Sequence, residues 1–146
     1  MQTEIKFSPS FASAEVTLSP GEACKAEAGT MLSMTGVEIQ TSTQGGLMKG
    51  LKRSVLGGES FFMNTFTAGN SGGTVTFAPA LPGDIVSWQL TGQTVYLQSG
   101  AYLASATGVE VDTKFGGGKT FFSSEGLFIT GHDHSQHIVS RYNDKR

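Results

Sequence analysis

Four groups of residues in this chain carry side chains able to do chemistry. Gly116-Gly117-Gly118-Lys119-Thr120 has the ending of a phosphate-binding loop. Such a loop holds phosphate on backbone amides at the start of a helix, and it needs a further glycine where this chain has Thr113. The residues that follow, FFSSEGLF, read as strand, so the segment is expected to be a glycine-rich hairpin turn. His132, Asp133, His134 and His137 offer imidazoles and a carboxylate, which are ligands for zinc or nickel. They fall in a predicted hairpin tip, and no histidine precedes them to supply a ligand from another strand, so an exposed polar turn is the simpler reading. Glu38 with Glu110, and Glu59 with Glu125, form two carboxylate pairs of the kind used in acid–base work. Each pair occupies matching places in a repeat and has no recognisable nucleophile–histidine partnership nearby, which points to a structural role. Cys24 has no histidine near it and is expected to pack inertly. Trp88, Tyr96 and Tyr102 fit alternating strand positions and are expected in the core. No catalytic, cofactor or metal residue is assigned.

The fourth group is basic. In Gly45–Phe62, GGLMKGLKRSVLGGESFF, Leu47, Leu51 and Val55 recur at the spacing of one helical face, with Met48 beside them. Lys49, Lys52 and Arg53 fall mostly on the opposite face, and glycine pairs bound the segment at both ends. A short basic amphipathic helix of this kind could lie on an anionic membrane surface. Each cation near such a surface is worth on the order of 1 kcal/mol, and assembly would multiply the weak affinity of one copy. The alternative is that the apolar face caps an open end of the core and leaves the cations in solvent. Gly50 in the middle weakens the helix, so docking or binding must help form it.

These side chains must be positioned by strands. A chain of 146 residues with 20 glycines and 15% charged residues fits a turn-rich β protein. The formal charge of −2 gives no global reason to bind nucleic acid or an anionic surface. A single cysteine excludes an intrachain disulfide and agrees with a reducing compartment. The N-terminal MQTEIKFSPS lacks the features of a secretory or mitochondrial leader, and no apolar run is long enough to cross a bilayer as a helix. The expected location is cytoplasmic.

Alternating runs predict strands in EIKF, AEVTL, Glu22–Glu27, Thr30–Met34 and Gly36–Thr41. Ser60–Thr67, a Gly69–Gly73 turn and Thr74–Phe77 read together as a hairpin. The pattern then starts over after Pro79–Gly83. Gly21–Gly29 matches Gly92–Gly100, Gly36–Thr41 matches Gly108–Thr113, and Glu59–Phe62 matches Glu125–Phe128. The second copy bridges the place of the basic segment with only KFGGGKTFFSS. Leu127–Thr130 and His137–Tyr142 read as the second copy of the hairpin. The expectation is one domain, 1–146, made of two related units, 1–78 and 79–146.

EAGTMLSM, GLMKGLKRSVLGGESFF, FAPALPGDIV, QSGAYLAS, GVEVDTKF and SEGLF together resemble the altered-inheritance-of-mitochondria family. That family includes bacterial proteins of unknown function and a mitochondrial inner-membrane protein implicated in respiratory-membrane organisation. The resemblance implies an all-β fold of shortened double-stranded β-helix units like those of the tryptophan RNA-binding attenuation protein, here two of the usual three, to which the spacing in Gly45–Phe62 adds one short amphipathic helix. A repeat unit without its neighbour leaves an uncovered face and an unpaired edge, so the chain is expected either to self-associate as a homo-oligomer or to be a marginally stable fragment. The expected function is a non-enzymatic β-repeat scaffold or binding module without cofactor or defined small-molecule ligand. Its expected partners are further copies of itself and an anionic membrane surface or a protein. The alternative is an RNA-binding oligomeric ring by fold analogy, against which the acidic balance counts; a small-molecule enzyme ranks last.

Overall fold

The alternating runs form strands because each can turn one face inward. Among the described residues, strand interiors alternate buried and solvent-facing side chains, as in Ser13–Leu18 and Ala23–Glu27. The computed structural model describes residues 1–43, 62–98, 100–112, 126–131 and 136–142. They form β1 (Gln2–Lys6), β2 (Ser13–Leu18), β3 (Ala23–Glu27), β4 (Met31–Thr35), β5 (Val37–Thr43), β6 (Phe62–Ala68) and β7 (Gly73–Phe77). These are followed by β8 (Asp84–Leu90), β9 (Thr94–Gln98), β10 (Tyr102–Ala106), β11 (Val109–Asp112), β12 (Gly126–Gly131) and β13 (Gln136–Tyr142). The protein is all-β, with no helix among the described residues. The basic segment predicted as a helix lies almost entirely outside them.

The strands make three antiparallel sheets, ordered β1-β2-β7-β4, β5-β6-β3-β10-β13-β8 and β11-β12-β9. The same pairing order occurs twice. β2-β7-β4 and β5-β6-β3 in the first half have the order of β8-β13-β10 and β11-β12-β9 in the second. The residues Pro79–Gly83 lie between these two sets of strands.

The two predicted hairpins are not hairpins. β6 pairs with β3 and β5, whereas β7 pairs with β2 and β4, so the Gly69–Gly73 connection carries the chain from one sheet to another. β12 and β13 part in the same way, to β9 and β11 and to β8 and β10. The crossing in the first half needs glycine because backbone passes against backbone. Gly69 N–H donates to Gly36 O at 2.9 Å. A Cβ on Gly73 would meet Val37 Cγ1 at 2.6 Å, Gly36 O at 2.7 Å and Thr35 O at 2.8 Å.

Pairing also corrects one repeat match. Lys25 lies opposite Thr65 and Tyr96 opposite Phe128, which equates Thr65 with Phe128 where the sequence match set Phe62. The Gly21–Gly29 and Gly92–Gly100 match is repeated in the backbone, since Gly21, Gly29, Gly92 and Gly100 all have positive φ.

Burial gathers into two clusters. The first holds Val16, Leu18, Phe66, Val75 and Phe77 of the first half together with Ile85, Leu103 and Ala104 of the second. Phe66 and Phe77 meet edge to face, centroids 5.4 Å apart. The second holds Leu90, Leu97, Tyr102, Val109, Val111 and Ile129, with Met63 from the first half. Each core therefore takes residues from both halves, through the pairing of β3 with β10.

Candidate functional site

Lys49, Lys52 and Arg53, the basic residues singled out in the sequence, lie outside the described residues. So do Gly116–Thr120, His132, Asp133, His134, Glu59 and Glu125. Glu38 and Glu110 sit on β5 and β11, each opposite a threonine, Thr67 and Thr130, and both are exposed. They are on separate strands of separate sheets, so the structure does not bring them together as an acid–base pair. Among the described residues no cluster of metal-ligating side chains occurs.

Cys24 is fully buried on β3, and burial pushes its thiol up to about 12, so it is held as the neutral thiol. Tyr102 is buried as expected, but Trp88 and Tyr96 are exposed, at 38% and 46%. Alternation placed all three on strands correctly. It could not separate a central strand from an edge strand, and β8 and β9 end their sheets.

The best-defined feature of the surface is what happens at the edges of the two halves. Inside the molecule β3 and β10 pair antiparallel, with Ala26 opposite Ala104, Lys25 opposite Ser105 and Cys24 opposite Ala106. The Tyr102 hydroxyl and the Ser105 hydroxyl share a hydrogen bond of 2.7 Å, and the tyrosine also donates to Lys25 O at 3.3 Å, tying β10 to β3. Burial lowers the pKa of Lys25, while the charge of Glu110 acts in the opposite sense.

Away from this junction, β4 and β9 end their sheets among the described residues. On β4, Leu32 is 67% and Met34 is 42% exposed, whereas on β10 the residues Tyr102, Leu103, Ala104 and Ser105 are all buried. On β9, Tyr96 is exposed and Val95 half-buried, whereas on β3 both Cys24 and Ala26 are buried. Apolar side chains exposed along an edge strand offer two routes to interaction. The strand's backbone amides and carbonyls can extend a sheet, and its side chains can be covered. The sequence reading anticipated an open edge but assigned it to no strand. Its signal was the repeat itself, which sets Leu32 against Leu103.

Comparison with solved structures finds the same fold in a Streptococcus pyogenes protein determined by X-ray crystallography for a structural genomics consortium. The two are 22% identical with a TM-score of 0.72, and the match covers 96% of this chain and 63% of that one. The chain thus spans less than two thirds of the length of that relative. Comparison with curated proteins gives no match. Residues 3–138 match the family described as mitochondrial biogenesis AIM24. With the match running through nearly every strand of both halves, the chain belongs to the mitochondrial biogenesis AIM24 family.

Proposed function

We propose that this protein is a non-enzymatic β-repeat scaffold that self-assembles and uses Lys49, Lys52 and Arg53 to hold the assembly against an anionic membrane surface. The observation that carries the reading is the exposure of apolar side chains on two strands that end their sheets among the described residues, Leu32 and Met34 on β4 and Tyr96 on β9. Exposed apolar side chains on an edge strand are an aggregation risk unless a partner covers them. The family's description, mitochondrial biogenesis, is compatible with such a scaffold and specifies no activity. The basic segment supplies attraction that is weak per copy and additive over an assembly. An RNA-binding ring is disfavoured by the charge pattern. Lys25 is matched in the second half by Tyr96, so the described surface offers no repeated cation at that position to neutralise phosphates.

The test is flotation with vesicles of phosphatidylcholine, with and without phosphatidylserine. The parent floats with the anionic vesicles, less so at high salt, and Lys49→Glu/Lys52→Glu/Arg53→Glu does not. Equal flotation by the triple variant would refute the role given to these residues.

A further inference from the structure

The internal junction of β3 with β10 shows how strands of these two types pair. Two observations fix the residue correspondence between the halves. Against β7, β4 has a register shift between Met31 and Ser33; against β13, β10 has the same shift between Tyr102 and Ala104. Hence Leu32 corresponds to Leu103, Ser33 to Ala104, Met34 to Ser105 and Thr35 to Ala106. Cys24 lies opposite Phe66 and Val95 opposite Ile129, between glycines of the same positive φ at either end. Hence Cys24 corresponds to Val95, Lys25 to Tyr96 and Ala26 to Leu97. In the middle of the molecule β10 docks on β3. The counterpart of β10 is β4 and the counterpart of β3 is β9, and among the described residues these two strands end their sheets. The described residues therefore carry both strand types of a second junction and do not pair them with each other.

Resting on the self-assembly reading, we propose that β4 of one copy pairs antiparallel with β9 of a second copy, in the register of the internal junction. That sets Ser33 opposite Leu97, Met34 opposite Tyr96 and Thr35 opposite Val95. Three features of the edges fit this occupant. Leu103 is 1% exposed inside the first core cluster, where β10 reaches the other half, whereas Leu32 is 67% exposed. Docking β4 on a second copy's β9 buries Leu32 as Leu103 is buried. At the internal junction the polar pair Ser105 and Lys25 face each other. At the proposed junction both partners are changed in the same sense, to Met34 and Tyr96, both exposed here and suited to a methionine–aromatic contact. The backbone pairing needs no new geometry, since the same two strand types already pair in the chain. Because the two edges differ, the contact is head-to-tail.

The test is register-specific crosslinking between copies. Met34→Cys and Tyr96→Cys are prepared separately, mixed and oxidised, then run without reductant. Both positions are exposed, so neither change disturbs the core, and buried Cys24 stays out of the reaction. The mixture gives a disulfide-linked dimer. Either variant alone, or Met34→Cys mixed with Thr17→Cys on the exposed face of β2, does not. No crosslink in the mixture, or equal crosslinking with Thr17→Cys, overturns the assignment. Sedimentation of the parent separates the two failures. A parent that sediments as an oligomer but does not crosslink leaves self-assembly standing and overturns only this junction. A parent that is monomeric at every concentration overturns both.

Discussion

Leu103 and Leu32 hold the same strand position in the two halves, and truncating each to alanine should have opposite signatures. Leu103 is 1% exposed in a core that joins both halves. Removing its branched end deletes buried methyl groups and leaves a cavity that the surrounding sheets only partly close, costing about 2–5 kcal/mol. For a domain of this size that is a fall in melting temperature of roughly 5–15 °C. Leu32 keeps 67% of its surface in water, so about a third of its transfer energy is realised in the single chain. Full burial of leucine is worth about 1.5–3 kcal/mol, so Leu32→Ala costs the single chain under about 1 kcal/mol. The remaining two thirds, about 1–2 kcal/mol, is gained only when a second copy covers it, a change of roughly 5- to 30-fold in dissociation constant per junction. The assay is urea unfolding at two widely separated protein concentrations. Leu103→Ala lowers the midpoint equally at both. Leu32→Ala stays within about 1 kcal/mol of the parent when dilute and falls further below it when concentrated, because the covered leucine gives the parent additional stability by mass action. If Leu32→Ala is as damaging as Leu103→Ala in dilute solution, Leu32 is already covered within one chain and the reasoning fails.

Three further outcomes follow from the geometry. Gly73→Ala sets a methyl against two carbonyl oxygens and Val37 within 2.8 Å, and should cost at least about 1–3 kcal/mol by thermal melting; a variant as stable as the parent would mean the crossing is looser than described. Cys24, with its thiol pushed up to about 12, should resist a thiol-reactive dye in the native protein at pH 8 and react once the chain is unfolded in guanidinium; rapid native labelling would contradict its burial. Partial burial opposes ionisation of Glu22, but hydrogen bonds from the N-terminal ammonium group and from Ser19 prevail and hold its carboxyl below its ordinary value of 4.5. A depressed carboxylate stabilises the fold above the unfolded value and loses that contribution as pH falls through the folded one. Parent and Glu22→Gln should therefore differ most in melting temperature near neutral pH and converge below pH 4.5; a gap that is constant with pH would refute the linkage.

Local chemistry made the strands legible and left their partners hidden. Alternation and glycine punctuation mark β1 to β5 to within a residue or two, since those signals depend on which face of each strand is buried. The β6–β7 hairpin was misread because a glycine-rich turn fixes a change of direction but not a partner. Contacts such as Gly36 against Gly73 decide that, and they join residues far apart in sequence. Trp88 and Tyr96 were read as core for a related reason, since an apolar residue on an alternating strand looks alike at an edge and in the centre. The junction of β3 with β10 left only a faint trace, the small side chains Cys24, Ala26 and Ala104, whose meaning emerges once the strands are paired. Lys49, Lys52 and Arg53 stand out by charge alone, which marks a surface without naming its partner.

The most direct measurement is the mass of the parent by sedimentation velocity across a broad concentration range. A scaffold joined through β4 and β9 sediments as a multiple of the 15.3 kDa chain, and Leu32→Lys, which places a charge on the β4 edge, returns it to the single chain. A parent that stays at 15.3 kDa at every concentration would contradict the account.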